Sequence, residues 1–347
     1  MPIALADKMD MLLRKGDGTD TPENDKVVES ATKDFLDGFL QRYSSKILES
    51  LLQDKTTKRH IVWADTEYEQ YGAGYGMYDE ITLERITGER SGLVTPRTEK
   101  DQERQTARTR THAEVFTPSW LCCRMNDDID EQWFGRANMF TIMDGHTWAA
   151  TPMPVNFGDL DWHDYVDCLR LEITCGEAPF ICSRYDTATG DLLPVESRIG
   201  FLDRKLRVVS ENTDDYLMWR KYAYRALEST YGFEYQGDNL LVARINVLET
   251  FTEHMQARWN KEPDLSETRH AANIIAWNLW QMDGLTDTSP SAAPIKQIEP
   301  MDLFDTIDKP IEDKAKPCLI YDWRKRRPQT FASLKKKQLK KNKGVTA

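Results

Sequence analysis

The sequence predicts an α/β protein built on an open, mostly parallel sheet. Two observations lead to this fold class. Segments with apolar residues at helical spacing alternate along the chain with short apolar runs typical of strands. Those short runs end in an acidic residue or a glycine, as in LEITCG, residues 171–176. Ligands of open parallel sheets bind beyond the carboxyl ends of the strands, so these positions are the candidate site.

Composition narrows the class of protein further. The 347 residues are 40% hydrophobic, which is enough to build one large core or two modest ones. No apolar run approaches the roughly 18–20 residues of a membrane span, and the start of the chain lacks the pattern of a signal peptide. We therefore expect no membrane partner and a cytoplasmic location. The six cysteines form no CxxC pair, which favours reduced thiols and no metal site.

The N-terminal part is predicted to be helical over residues 1–60. Apolar residues recur there every four positions, at Phe35, Phe39, Tyr43, Ile47 and Leu51. HIVWAD, residues 60–65, predicts a short strand. YGAGYG, residues 71–76, lacks the spacing of a phosphate-binding loop and is interpreted as a flexible loop. Residues 90–111 are almost free of apolar side chains after Val94, which predicts an exposed connector.

The central segments carry the candidate site residues. Thr117-Pro118 predicts the start of a helix, because threonine can cap a helix and proline suits its first turn. In the following strand Leu171, Ile173 and Cys175 alternate with Glu172 and Thr174. Gly176 then allows a backbone to approach a ligand closely. Cys175 is interpreted as a small buried residue, since no histidine lies near it in the sequence to activate it.

Three further helices and a strand follow. Thr213, Asp214 and Asp215 predict a helix start, and FEY, residues 233–235, predicts a strand tipped by Glu234. Helical spacing continues through Leu241, Ile245, Leu248, Met255 and Trp259. Asp264 and Glu267 predict a capping box for a last helix, which leads to Asp283-Gly284. A carboxylate at the end of an apolar strand is costly without a partner, which favours functional roles for Glu172 and Glu234.

The C-terminus is strongly basic. Residues 324–343 hold ten Lys or Arg and no acid, so the rest of the chain carries −11 − 10 = −21. Such a tail could bind nucleic-acid phosphates, with an affinity that depends on salt and not on sequence. It could equally serve only to keep the protein soluble.

Several segments together resemble a known family. FTP, a strand ending in acid-x-x-Cys-Gly, and Tyr-Gly-x-acid before an amphipathic helix occur in the order that resembles DNA adenine-N6 methyltransferases of restriction-modification systems. Six segments in order look most like restriction endonuclease subunit M: AEVFTPSW, RLEITCGEAPF, SRYDTATG, GFLDRKLRVVSEN, YGFEYQGDNLLVARINVL and WNLWQMDGL. The resemblance covers roughly residues 60–330. It implies a Rossmann-like methyltransferase fold with helices on both faces of the sheet, S-adenosyl-L-methionine as cofactor and double-stranded DNA as partner. It also implies a possible restriction or specificity subunit as a second partner.

The resemblance assigns roles to individual residues. Phe116, Thr117 and Pro118 match a segment that lies against the methionine end of the cofactor. The segment with Glu172, Thr174, Cys175 and Gly176 matches the loop that holds the methionine carboxylate and ammonium. Glu234 matches the acid that accepts hydrogen bonds from both ribose hydroxyls. Asp283 matches the residue that binds the adenine amine of the cofactor, although WNLWQMDG aligns equally well with the ribose segment.

The chain departs from the family pattern at two places. Ala178 replaces the second glycine of the cofactor loop and Pro179 follows it, which predicts a stiffer loop. The run of Asn or Asp, two prolines and an aromatic residue that grips a flipped adenine is absent. The nearest candidates for the catalytic acceptor lie in two separate segments. They are Ser289 and Pro290 in the first segment, and Asp308 and Pro310 in the second.

Two hypotheses follow from these patterns. The first, which we favour, is an adenine-specific DNA methyltransferase subunit. The second is a catalytically incomplete, methyltransferase-like subunit that binds DNA or serves as a scaffold in a restriction or phage-defence complex. In either case the expected organisation is a helical N-terminal region and connector (1–110), a methyltransferase-like domain (111–310) and a C-terminal segment with the basic tail (311–347).

Overall fold

The computed structural model describes residues 35–100, 108, 117–290 and 315–335. In these ranges the α-helices are α1 (Phe35–Arg42), α2 (Ser45–Leu52), α3 (Leu83–Ile86), α4 (Ser119–Phe134), α5 (Trp162–Asp167), α6 (Phe201–Glu211), α7 (Tyr216–Glu228), α8 (Gly237–Trp259) and α9 (Leu265–Asn278). The strands are β1 (Thr141–Asp144), β2 (Thr147–Ala150), β3 (Arg170–Ile173), β4 (Thr230–Glu234), β5 (Leu279–Gln281), β6 (Leu319–Asp322) and β7 (Arg327–Thr330). Within the described ranges, no helix is both long enough and apolar enough to cross a membrane.

The central sheet has three parallel strands in the order β3-β4-β5. Helices α6 and α7 connect β3 to β4, and α8 and α9 connect β4 to β5. Parallel neighbours need such crossovers, because a short turn cannot return the chain to the same end of the sheet. The prediction of a mixed α/β protein with a parallel sheet is therefore confirmed. The pairs β1-β2 and β6-β7 form separate antiparallel hairpins.

Most predicted helix starts are confirmed, with two corrections of detail. Asp264 and Glu267 form the predicted capping box at the start of α9. Helix α7 is capped by Asp215, whose side chain accepts from the Met218 amide, whereas Thr213 donates back to the preceding helix. Helix α4 begins at Ser119, and Thr117 makes no capping hydrogen bond to it. The Thr117 carbonyl instead accepts a hydrogen bond from the Thr187 hydroxyl.

In β3 the polar residues are buried and the apolar residues are exposed, which is the reverse of what their hydrophobicity indicates. Leu171 and Ile173 are 40% and 65% exposed, whereas Arg170 and Glu172 are buried. Buried polar groups are stable only with partners, and both have them: Arg170 contacts Asp130, and Glu172 accepts two backbone N–H groups. Burial in β3 is therefore decided by polar contacts and not by hydrophobicity.

Helices α1–α9 contribute most of their buried apolar residues to one core on one face of the sheet, together with Leu279 of β5. Cys122 and Cys123 of α4 instead pack with Ile199 in a small separate cluster. On the other face, Phe233 and Trp280 pack against Ile320 and Phe331 of the C-terminal segment. The β6-β7 hairpin and the helical residues 331–335 thus lie where the Rossmann-like expectation places a second layer of helices.

The same packing corrects the extent of the basic tail. Arg327 belongs to β7, and Arg324 forms an ion pair with Asp167. The predicted tail therefore starts too early, because residues 324–335 are part of the folded protein. The remaining residues, 336–347, lie outside the described ranges and contain five lysines.

The N-terminal segment is only partly as predicted. Residues 1–34 lie outside the described ranges, while α1 and α2 bury Phe39, Ile47 and Leu51 as the spacing predicts. The predicted strand at residues 60–65 is wrong, since only isolated bridges form there, including Val62 with Glu80.

The connector prediction is also wrong within the described residues. Ser91, Val94, Lys100 and Arg108 are buried. Polar composition suggested an exposed segment, but a lysine or arginine can be buried where acids pair with it. Lys100 and Arg108 both have such a partner in Asp238.

Candidate functional site

The carboxyl ends of β3 and β4 bring the two singled-out glutamates to the same edge of the sheet. In the parallel register Glu172 lies opposite Gly232, and Glu234 is the last residue of β4. Their exposed fractions are 8% and 7%. The negative charge of Glu234 helps to raise the pKa of Glu172, which is consistent with their proximity. Two buried carboxyl groups thus share one small region.

Glu234 links the loops that follow two neighbouring strands. Its Oε2 accepts a hydrogen bond from the Gly176 amide at 2.8 Å. Its Oε1 accepts from the amides of Tyr235 at 2.9 Å and Gln236 at 3.1 Å. Burial raises the pKa of Glu234, and these three N–H groups act in the opposite direction. The carboxyl group therefore holds the loop after β3 against the loop after β4.

Glu172 holds the far end of the loop after β3. Its carboxylate accepts from the amides of Phe180 at 3.4 Å and Ile181 at 3.1 Å. Burial raises the pKa of Glu172 well above its ordinary value, and the two backbone N–H groups only partly offset this. The segment 174–181 is thus fixed at Gly176 by Glu234 and at residues 180–181 by Glu172. We call it the cofactor loop after the role that the resemblance implies.

The cofactor loop has an unusual backbone. Thr174, Gly176 and Ala178 have φ values of +50°, +52° and +69°, in the left-handed region. Glycine takes this conformation without cost, whereas a β-branched threonine there is a genuine outlier. Such residues cost roughly 1–3 kcal/mol each and persist only where the surroundings hold them. The backbone conformation therefore explains the glycine at position 176. Crowding does not, because a Cβ there would meet no atom within 4 Å.

The predicted Phe-Thr-Pro segment leads into a helix beside this loop. Phe116 lies outside the described residues, Thr117 is half-buried and Pro118 is exposed. Helix α4 reaches the loop through Asn126, whose Nδ2 donates to the Phe180 carbonyl at 3.1 Å. A cavity of only about 10 Å³ lies between the start of α4 and the loop, and Ser119 and Pro179 contribute to its lining. A cavity of this size is too small for a ligand of nucleotide size.

Asp283 lies just beyond β5. Its Oδ1 accepts from the Leu285 amide at 2.8 Å, which stabilises a turn. The preceding Met282 amide donates to the Glu234 carbonyl at 3.0 Å. Asp283 is therefore near the end of β4 but is already used in a local turn.

Sequence reasoning missed Gln281, the last residue of β5. Its side-chain amide accepts from the Val62 amide at 2.9 Å and donates to the carbonyls of Val62 at 2.8 Å and Tyr235 at 2.7 Å. The N-terminal segment is thereby joined to the strand ends. Gly237 allows this approach, since a Cβ there would meet the Val62 carbonyl oxygen at 2.0 Å.

The catalytic candidates are not brought together in the described residues. Ser289 is buried; its amide donates to the Lys316 carbonyl at 2.8 Å and its hydroxyl accepts from the Lys316 amide at 3.1 Å. It joins two chain segments in this way, next to the half-buried Pro290. Asp308 and Pro310 lie outside the described residues.

Cys175 is buried, and its amide donates to the Phe233 carbonyl. Burial raises the pKa of its thiol well above the ordinary value, with further effects from Glu172 and Glu234. A thiol that resists ionisation is a poor nucleophile. The interpretation of Cys175 as a packing residue agrees with this environment.

Comparison with known proteins does not extend these observations. No protein-family model matches the chain, and no curated protein or solved structure matches it significantly.

The buried carboxyl group of Glu172 predicts a pH dependence of stability. A carboxyl group whose pKa is raised by folding stabilises the folded protein while it is protonated. This stabilisation falls as pH rises above 4.5, the ordinary pKa of a glutamate. We therefore expect the free energy of unfolding to fall less between pH 5 and pH 8 in Glu172→Gln than in the unmodified protein. Urea unfolding at several pH values measures this. Parallel pH profiles for the two proteins would contradict it.

Proposed function

We propose that this protein is an S-adenosyl-L-methionine-dependent DNA adenine-N6 methyltransferase subunit of a restriction-modification system, with a Rossmann-like fold. The observation that carries the proposal is the pair of buried carboxyl groups, Glu172 and Glu234, on neighbouring parallel strands at the edge where such sheets bind ligands. The order of the sequence segments that resemble the family supports the same assignment.

The chemistry of Glu234 fits a ribose. A carboxylate has about four acceptor positions, and three backbone N–H groups point to this one. One ribose hydroxyl can use the remaining position, and the second can replace the Gly176 amide. That exchange would free the amide of Gly176, beside the exposed Thr174, for the carboxylate of the methionine moiety. The cofactor, when bound, supplies the methyl group on its sulfonium.

The remaining residues of the site would orient the cofactor. Glu172 keeps the cofactor loop in one conformation through its bonds to residues 180–181. Thr117 and Pro118 precede α4 on the side of the loop where the methionine end is expected. Asp283 is proposed as the contact for the adenine amine, which requires its hydrogen bond to the Leu285 amide to be shared or released.

A second candidate function is supported by the missing acceptor for the target base. The chain has no run of Asn or Asp followed by two prolines and an aromatic residue, and Ser289 is already engaged by Lys316. A subunit that binds cofactor and DNA but transfers no methyl group fits these facts. Such a subunit would be a scaffold for a restriction or specificity partner.

A methyl-transfer assay separates the two functions. The protein is incubated with S-adenosylmethionine labelled in the methyl group and with mixed-sequence duplex DNA. The first proposal predicts label in N6-methyladenine, with none above background for Glu234→Gln. Cofactor binding without labelled DNA, even with partner subunits present, would support the scaffold and contradict the enzyme.

The C-terminal lysines predict a contribution to DNA binding. Removing residues 336–347 deletes five lysines and leaves β7 and Phe331 in place. Each phosphate contact contributes about 0.9 to the slope of log K against log salt concentration. We expect the truncated protein to bind duplex DNA more weakly and with a slope reduced by up to about 4.5. Fluorescence anisotropy at several salt concentrations measures it, and an unchanged slope would leave the tail a role in solubility only.

A further inference from the structure

We propose that Lys100 and Arg108 are positioning residues for Glu234, and that residues 97–100 together with Arg108 couple the loop after β4 to the cofactor loop. For its effect on cofactor affinity this inference depends on the proposed function. Its structural part, the control of the Gly176 and Gln236 amides among the three that donate to Glu234, does not.

Arg108 is buried at the start of α8, among oxygen atoms of the loop after β4. Its Nη1 lies 3.0 Å from Asp238 Oδ2 and donates to Glu67 at 3.0 Å. Its Nη2 donates to Gln236 Oε1 at 3.2 Å and to Asn239 Oδ1 at 3.4 Å. A planar guanidinium fixes the direction of several acceptors at once. Arg108 therefore sets the geometry of residues 236–239.

Lys100 and Tyr68 complete the surroundings of Asp238. Lys100 Nζ lies 3.4 Å from Asp238 Oδ2, and the Tyr68 hydroxyl donates to the same oxygen at 2.7 Å. Burial alone would raise the pKa of Asp238, but Arg108 and Lys100 hold it below its usual range. An ionised Asp238 thus holds Lys100, Arg108 and Tyr68 at the first turn of α8.

This cluster reaches Glu234 through Gln236. The side chain of Gln236 is held by Arg108, by Asn239 Nδ2 at 2.8 Å and by Asp65 at 3.3 Å. Its backbone amide donates to Glu234 Oε1. Because the side chain fixes the residue, it also fixes the direction of that N–H group.

Arg97, three residues before Lys100, holds the cofactor loop. The Arg97 amide donates to Glu177 Oε1 at 2.6 Å, and the Tyr185 hydroxyl donates to Glu177 Oε2 at 2.8 Å. Glu177 follows Gly176, whose amide donates to Glu234 Oε2. Both oxygens of Glu234 thus accept from loops that are held by Arg97, Lys100 and Arg108. A displacement of these residues would change both contacts together.

Amide hydrogen exchange in the cofactor-free protein tests the structural part. In Arg108→Met, the amides of Gly176 and Gln236 should exchange at least about tenfold faster than in the unmodified protein. The Cys175 amide, which donates to Phe233, should keep its rate. Arg124→Met, at an exposed arginine of α4, is the matched control. Faster exchange at Gln236 with an unchanged rate at Gly176 would contradict the coupling.

Calorimetry with S-adenosylmethionine tests the functional part. Arg108→Met should raise Kd at least about tenfold, Arg108→Lys should restore part of the affinity, and Lys100→Met should show a smaller loss. Lys100→Met also keeps the test decisive if Arg108→Met does not fold. Binding by the unmodified protein with no change in either methionine variant would overturn this inference alone. Absence of binding by the unmodified protein would overturn the proposed function, while the exchange result would still decide the coupling.

Discussion

Replacing Glu234 with glutamine is expected to weaken the binding of S-adenosylmethionine at least about 100-fold. A hydrogen bond to a charged acceptor contributes about 1.5–3 kcal/mol, and the proposed ribose contacts are two such bonds. Glutamine keeps the shape of the side chain but offers one acceptor oxygen and no charge. Isothermal calorimetry measures the change in Kd.

The matched control is Glu131→Gln, an exposed glutamate at the end of α4, which should bind the cofactor like the unmodified protein. Thermal unfolding of Glu234→Gln is measured alongside, because the side chain also joins two loops. A folded Glu234→Gln protein with unchanged affinity would remove Glu234 from the site.

Asp130→Asn is expected to lower the free energy of unfolding by about 3–5 kcal/mol. Asp130 is buried between two buried arginines: its Oδ1 contacts Arg170, and its Oδ2 lies 2.7 Å from Arg204 Nη1. Its Oδ1 also accepts from the Tyr165 hydroxyl at 2.9 Å. Removing one charge would leave two buried guanidinium groups poorly compensated, although Arg204 keeps a second contact to Asp127.

Asp128→Asn is the control for this stability measurement. Asp128 is exposed on the same helix, so its replacement should change stability by less than about 0.5 kcal/mol. Urea unfolding compares the three proteins at pH 7. Equal midpoints for Asp130→Asn and Asp128→Asn would show that the buried cluster contributes little to the fold.

Local patterns predicted the helices and the parallel strands well. The capping box at Asp264 and Glu267 is formed, and β3 and β4 occur where short apolar runs end in a glycine or an acid. These features depend on neighbours within a few residues. The predicted strand at residues 60–65 failed because Val62 is held by Gln281, 219 residues away, and short-range spacing contains no information about that contact.

In the candidate site, too, features that depend on nearby residues could be predicted, and contacts between distant residues could not. Glu172 and Glu234 could be singled out because a carboxylate in an apolar strand is costly without partners. Lys100 and Arg108 could not, since their burial depends on Asp238, which lies on a different element. The exposed Leu171 and Ile173 were also unexpected, because hydrophobicity alone does not indicate which face of a strand contacts the core.

The central claim is that the loops held by Glu172 and Glu234 bind one nucleotide-like cofactor. A structure of the protein with S-adenosylmethionine tests it most directly. We expect both ribose hydroxyls within about 3 Å of the Glu234 carboxylate, the usual hydrogen-bond range, and the methionine moiety against the cofactor loop. A cofactor bound elsewhere, or a protein that takes up none at millimolar concentration, would contradict the claim.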